Sequence, residues 1–160
     1  MPTIIKDKSI TETPFSAVSA EDADTMASNV LLPLAFWLEH QEELEGRNDV
    51  GVWVDADEEV EVLAGFVNSI PVIGLNFPNF YDGRSLSSAT ILRRTFGYEG
   101  ELRAIGDVRR DQMEQMQRCG INAFELAQGQ DPEKALASLE GFTYNYQVSV
   151  DRPAPLFRQR

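Results

Sequence analysis

The sequence predicts an α/β protein with about four βα units and a mainly parallel sheet. Apolar runs of strand length alternate with stretches whose apolar residues recur at helical spacing, at intervals of roughly 20 to 30 residues. Such alternation is typical of βαβ crossovers. The chain has 160 residues, of which 42% are hydrophobic and 25% charged, as in ordinary globular proteins. We therefore expect a single domain over residues 1–160.

The amino-terminal part of the chain predicts an arm followed by a helix. Residues 1–25 are polar and aperiodic apart from Ile4 and Ile5, which indicates an extended arm. Residues 26–46 place apolar side chains at helical turn spacing, as Val30, Leu34 and Trp37 illustrate. Pro33 falls near the first turn of this predicted helix, where its missing N–H costs little.

The following residues, 47–150, predict an α/β core, and residues 151–160 a tail. Five runs predict strands: Val50–Val54, Val72–Phe77, Glu101–Ile105, Asn122–Leu126 and Thr143–Val148. Four amphipathic stretches predict helices: Asp57–Ser69, Ser85–Phe96, Val108–Cys119 and a last helix that begins at Pro132 and includes Phe142. Asp131 is the expected N-cap of the last helix, because aspartate precedes proline at the first helical position.

Two architectures fit this order of elements. One is an open three-layer sandwich with a doubly wound sheet, and the other is half of a β/α barrel. Periodicity does not separate them. We favour the open sandwich, because a half barrel needs something to close against.

Charge and composition exclude several classes of function. The chain carries 26 acidic and 14 basic residues, a net charge of -12. We therefore expect neither nucleic acid nor a membrane surface as a partner, because both are anionic, and self-association is left open. One cysteine, Cys119, and one histidine, His40, exclude an intrachain disulfide and a Cys/His zinc site. We expect a cytoplasmic protein with no metal and no cofactor, since glycine-rich nucleotide-binding motifs are also missing.

In either architecture, ligands bind at the carboxyl ends of the parallel strands. Arg103 is unusual there because it lies inside a predicted buried strand and needs a partner or a polar pocket. An ion pair with Glu101 or Asp107 and a pocket cation are both open. The residues at the carboxyl ends of the predicted strands are Asp55, Asp57, Asn76, Gly106, Asp107 and Glu125, with the loop 77–84.

A small anion is one ligand that this edge could bind. Residues 84–118 hold seven arginines and five acids, a local net charge of +2 in an acidic chain. Arg84 stands beside the predicted start of a helix at Ser85, where free N–H groups favour anions. Alternatively, these arginines form solvated helix faces with pairs such as Arg110 and Glu114 at i,i+4.

Four ordered motifs resemble one bacterial family. They are Phe77-Pro78-Asn79-Phe80-Tyr81-Asp82-Gly83-Arg84-Ser85, Gly100-Glu101-Leu102-Arg103-Ala104-Ile105-Gly106-Asp107-Val108, Arg110-Asp111-Gln112 and Arg118-Cys119-Gly120. Together they are similar to family 934 of the domains of unknown function. The resemblance extends to the Ile4-Ile5-Lys6-Asp7 start and the Tyr144–Gln147 end.

The resemblance implies a role in sulfur assimilation. Members of the family are typically encoded beside assimilatory sulfite reductase and often carry an oxidoreductase label, although the family has no established reaction. We expect an accessory protein of sulfite reduction that acts with sulfite reductase or its electron donor. The alternative is a small enzyme or sensor that binds an anionic metabolite at the strand ends. Whether the protein is an enzyme is left open, as is any catalytic residue.

The motif residues at the strand ends are the candidates for ligand binding. In the alternative function, Arg84 and Arg103 would neutralise the anion, Asp107 would orient an arginine or act as a base, and Gln112 would donate a hydrogen bond. The full candidate set is Asp82, Gly83, Arg84, Arg103, Gly106, Asp107 and Gln112. We expect Arg84 to serve a site and Arg103 to serve the scaffold.

Overall fold

The computed structural model describes residues 2–79 and 83–140. Its strands are β1 Thr3–Lys6, β2 Ser9–Glu12, β3 Ser16–Ala17, β4 Val30–Pro33, β5 Val50–Val54, β6 Val72–Phe77, β7 Glu101–Gly106 and β8 Ala123–Phe124. Its α-helices are α1 Leu34–Glu39, α2 Gln41–Leu44, α3 Arg84–Thr90, α4 Arg110–Arg118 and α5 Pro132–Glu140. Two 3₁₀ turns cover Val60–Leu63 and Val67–Ser69, and a π-helical turn, Ile91–Thr95, extends α3.

The strands form one mixed sheet in the order β2-β1-β8-β7-β6-β5-β4-β3. From β3 to β8, each strand pairs in parallel with the next strand in sequence. β1 pairs antiparallel with both β8 and β2 and so adds a hairpin to one edge. This sheet is curled into a half-barrel. The α/β class is therefore confirmed, but the open three-layer sandwich is wrong.

The two faces of the curled sheet are covered differently. Because side chains alternate along a strand, the outer face carries residues such as Val52, Ile73 and Leu102, which pack with the helices in the main core. The inner face carries buried Leu31 and Arg103.

The amino-terminal segment crosses the inner face and gives the half-barrel something to close against. Thr13 is buried, and its hydroxyl accepts a hydrogen bond of 2.8 Å from Nη2 of Arg103. Nη1 of Arg103 donates to the carbonyl of Phe15 at 3.0 Å. Farther along, the indole N–H of Trp53 donates to the carbonyl of Val18 at 2.8 Å. The objection to a half-barrel fails because the chain supplies its own cover.

The predicted helix over residues 26–46 is largely wrong. Its first part is strand β4, and only Leu34–Glu39 and Gln41–Leu44 are helical. Pro33 restricts the residue before it to extended conformations, so the helix begins only after the proline. The predicted arm over residues 1–25 contains the three strands β1, β2 and β3. The predicted helix Asp57–Ser69 consists of the two 3₁₀ turns instead.

Several elements of the core are confirmed. β5 and β6 have the predicted bounds, and β7 is one residue longer than predicted. The last helix begins at Pro132, and Oδ1 of Asp131 accepts a hydrogen bond from the N–H of Glu133 at 2.9 Å, which is the expected cap. The predicted strand Thr143–Val148, Phe142 and the tail over 151–160 lie outside the described residues.

Candidate functional site

The carboxyl ends of β5 and β6 bring two of the predicted polar residues together. Nδ2 of Asn76 donates to Oδ1 of Asp55 at 2.9 Å. Oδ1 of Asp55 also accepts a bond from the backbone N–H of Ala56 at 2.8 Å, and Glu58 accepts one from the N–H of Asp55 at 2.9 Å. The hydroxyl of Ser85 donates to the carbonyl of Asn76 at 2.7 Å, which ties the start of α3 to β6. These contacts make the pair a structural junction of two loops.

Gly106 and Asp107 lie on the neighbouring strand end, as predicted. Gly106 has a φ of +89°, and a Cβ there would overlap both the side-chain oxygen of Asn76 and the carbonyl of Phe77. The N–H of Asp107 donates to the carbonyl of Phe77 at 2.7 Å. Its carboxylate accepts a bond of 2.9 Å from Nε of Arg109. The predicted arginine partner of Asp107 is therefore Arg109 and not Arg103.

Arg103 is fully buried on the inner face and is paired with Glu101. Its Nε and Nη2 contact Oε1 of Glu101 at 2.9 and 2.8 Å, and Lys6 Nζ lies 3.2 Å from the other oxygen of that carboxylate. Glu125, the residue after β8, lies 3.9 Å from Nη1 of Arg103. Glu101 was one of the two predicted partners. The other two partners of Arg103 are Thr13 and Phe15, and no pattern in the sequence predicts them.

The other motif residues stand at the loops that follow β6 and β7. Gly83 immediately precedes α3, and the exposed Arg84 is the first residue of that helix. Gln112 lies half-buried in the first turn of α4. Asp82 lies outside the described residues. The two motif loops therefore follow adjacent strands, as the alternation predicted, while Arg103 faces the half-barrel interior below them.

A cavity of about 350 Å³ lies at the opposite end of the sheet, where the sequence predicted no site. It is next to the amino end of β8 and contacts Arg93, which precedes β7. Arg93 donates to the carbonyls of Tyr98, Gly100 and Gly120 at 2.7, 2.8 and 2.9 Å. Desolvation on burial lowers the pKa of its guanidinium. The sequence counted Arg93 only as one of the seven clustered arginines.

Acidic side chains are concentrated on another part of the outer layer. Residues 39–45 belong to the segment of α1 and α2, and residues 57–61 follow β5 and include the start of the first 3₁₀ turn. These two stretches contain no lysine or arginine. We call their exposed carboxylates the acidic surface: Glu39, Glu42, Glu43, Glu45, Asp57, Glu59 and Glu61.

The side chains of His40 and Cys119 contact neighbouring residues of the fold. The ring of His40 stacks on Phe36 at 4.3 Å, and its Nδ1 donates to the carbonyl of Phe36 at 3.0 Å. Cys119 is half-buried and packs against the main core.

Within residues 2–79 and 83–140, no group of three His, Cys, Asp or Glu side chains could hold a metal ion. In the same residues, no helix is long and apolar enough to cross a bilayer.

A family model matches residues 51–157, which include both motif loops, all of β5 but its first residue, β6 to β8, and the cavity residue Gln117 of α4. The family is described as "Bacterial protein of unknown function (DUF934)". The chain belongs to this family. No curated protein matches the sequence. Membership in DUF934 confirms the resemblance that the four motifs carried.

Proposed function

We propose that this DUF934 protein is an accessory protein of assimilatory sulfite reduction that docks on sulfite reductase or on its electron donor. The resemblance supplies the pathway, because family members are typically encoded beside assimilatory sulfite reductase. The acidic surface supplies the physical basis for docking. Surface charge of one sign steers association with a partner of the opposite sign and aligns it before contact.

The two stretches that form the acidic surface contain no basic residue that could neutralise its negative charge. The nearby Arg47 is held by both carboxylate oxygens of Asp49, at 3.0 and 2.9 Å, and it also donates to the carbonyls of Thr25 and Ala27. This arrangement fits a complementary basic patch on a partner protein.

The predicted strand-end site is less well supported than docking. An anion at this edge was expected to use Arg103, but that side chain is fully buried with Glu101, Thr13 and Phe15 as partners. Asp107, the expected base, accepts a bond from Arg109. Both charged groups are therefore engaged in ion pairs within the protein, Arg103 with Glu101 and Asp107 with Arg109.

Binding to purified sulfite reductase and to its electron donor tests the proposal. The variant Glu42→Gln/Glu43→Gln removes two exposed charges from the acidic surface, in the first turn of α2. The control Glu99→Gln/Glu133→Gln removes two exposed charges elsewhere, one of them also in the first turn of a helix. We expect the first variant to bind on the order of tenfold more weakly and the control to bind like the wild type.

Salt gives an independent check of the same interaction. Raising the ionic strength from 0.01 to 0.15 M shortens the Debye length from about 30 to about 8 Å, so wild-type binding should weaken and the difference between the variants should shrink. The proposal fails if sulfite reductase and its donor are not enriched in a pull-down from the native cell. Unchanged sulfite reductase activity in a strain that lacks this protein would also contradict the proposal.

A second candidate function is a small enzyme or sensor for an anionic metabolite at the strand ends. The observation that favours it is a group of exposed arginines where the loops after β6 and β7 lead into α3 and α4, namely Arg84, Arg109, which is paired with Asp107, and Arg110. A thermal-shift screen with sulfite, sulfate, phosphate and nucleotides tests it, because a ligand that binds only the native state raises its stability. A shift that persists unchanged in Arg84→Gln would exclude this site.

A further inference from the structure

The cavity at the amino end of β8 combines an apolar wall with charged groups. Its apolar part is formed by Ile121, Phe124 and Leu139. Its charged part is formed by Arg93 and by Asp7 and Lys8 from the turn between β1 and β2. A volume of about 350 Å³ lies within the range of roughly 300–1,000 Å³ that is usual for sites of small organic ligands.

Arg93 contributes a positive charge that has no ion pair within 4.0 Å among the described residues, although the Asp7 carboxylate of the same cavity attracts it at longer range. Its four hydrogen bonds go to neutral oxygens: three backbone carbonyls and, at 3.3 Å, Oδ1 of Asn122. A guanidinium has five N–H donors, so one of them stays available. Burial of a charge is unfavourable, and desolvation lowers the pKa of Arg93 even though the nearby Asp7 acts in the opposite direction. An anion in the cavity would compensate for it.

The turn between β1 and β2 holds both Asp7 and Lys8 in a backbone conformation that residues with a Cβ rarely adopt. Their φ angles are +50° and +64°. Two consecutive residues in this left-handed region are usually Asn-Gly in a hairpin turn, because a Cβ is unfavourable there. The backbone N–H of Asp7 donates to the carbonyl of Asn122 at 2.9 Å, which fixes the turn beside the cavity. A strained conformation of this kind is frequent at functional sites.

We propose that this cavity binds a small organic monoanion, with an acidic group on a short apolar body. The acidic group would lie between Lys8 and the remaining donor of Arg93, and the apolar body against Ile121, Phe124 and Leu139. Lys8 and Arg93 against Asp7 give the cavity a net charge of +1, in a chain whose total is -12. The proposal concerns the end of the sheet opposite the motif loops and goes beyond the proposed docking function.

Benzoate and hexanoate are suitable probes, with the neutral benzamide as their control. On the full-length protein we expect saturable melting-temperature increases with the two anions and none with benzamide. The variant Gln117→Glu puts a negative charge into the cavity wall, and the matched control Gln115→Glu puts the same charge on an exposed position of the same helix. The first should weaken benzoate binding on the order of tenfold and the second should not.

Lys8→Gly separates binding from folding. Glycine relieves the unfavourable φ of +64°, so the melting temperature of the ligand-free protein should rise. Benzoate binding should fall in the same variant, because the cation is lost. The proposal is overturned if neither anion binds the wild type, or if Gln117→Glu binds benzoate as well as Gln115→Glu does. Binding to sulfite reductase is measured separately, so the two proposals can fail independently.

Discussion

Replacing Arg103 by leucine tests whether this buried arginine holds the half-barrel together. The substitution removes the donors to Glu101, Thr13 and Phe15 at once. Among residues 2–79 and 83–140, the carboxylate of Glu101, whose side chain is 8% exposed, then keeps Lys6 as its one ion-pair partner, at 3.2 Å. The covering amino-terminal segment loses both of its hydrogen bonds to β7.

The expected loss of stability follows from these contacts. Removing one partner of a buried ion pair costs about 3–5 kcal/mol, because the other charge stays buried. Lys6 compensates Glu101 in part, while the two lost hydrogen bonds add to the cost, so we expect about 4 kcal/mol. In a protein of this size, 1 kcal/mol corresponds to roughly 2–4 °C in melting temperature. The variant should therefore melt about 8–16 °C below the wild type.

Thermal and urea unfolding followed by circular dichroism measure this loss. The double variant Glu101→Leu/Arg103→Leu should recover more than half of it, because no charge is left unpaired and Lys6, 40% exposed, stays hydrated. The exposed Arg94→Gln is the control and should change stability by no more than about 0.5 kcal/mol. If Arg103→Leu melts within about 2 °C of the wild type, Arg103 is not part of the scaffold.

Three further predictions concern single residues. Gly106→Ala should lower the free energy of unfolding in urea by about 1–3 kcal/mol, because alanine is strained at a φ of +89° and its Cβ overlaps Asn76; an unchanged midpoint would contradict this. Burial raises the pKa of Tyr98 above its ordinary value of 10.0, so its contribution is complete below pH 10 and is lost as the pH rises further. Relative to Tyr98→Phe, the wild type should therefore lose about 1.4 kcal/mol per pH unit above pH 10, and parallel pH profiles would refute the assignment. Arg84→Gln should leave the melting temperature within about 2 °C of the wild type, since Arg84 is exposed; a sharp fall would make it a scaffold residue.

The parallel strands of the core could be predicted because their signal is local. Val50–Val54 is a continuous apolar run and Val72–Phe77 is apolar except for Asn76, as expected of strands buried on both faces. The last helix was equally clear, because Asp131 and Pro132 form a start signal that does not depend on the rest of the fold.

The amino-terminal strands could not be predicted, because their signal is weak or ambiguous. β2, Ser9–Glu12, is an edge strand with every side chain exposed, so it shows no alternation of polar and apolar residues. β3 has only two residues. β4 is an apolar run directly before helix α1, and the apolar spacing therefore continued a helical pattern through it.

The sequence contains one signal of the curled sheet, a glycine inside β6, that an analysis of hydrophobic periodicity does not detect. Gly74 lies on the inner face, where a Cβ would come within 3.1 Å of Leu31 and 3.2 Å of the Cβ of Trp53. A glycine inside a strand often marks such a close approach. Of the two partners that the sequence offered for Arg103, Glu101 and Asp107, the structure has Glu101, but Thr13 is 90 residues away and no spacing rule connects it to Arg103.

The crossing of the inner face by the amino-terminal segment has a consequence for how the chain reaches its native state during synthesis. Thr13 leaves the ribosome 90 residues before Arg103, the residue that holds it. At about 5–20 residues per second, the segment waits on the order of 5–20 s for its partner. The hairpin β1–β2 also waits for β8, its neighbour in the sheet. The first residues to be made are therefore among the last to be fixed, and contacts of such long sequence separation predict slow folding.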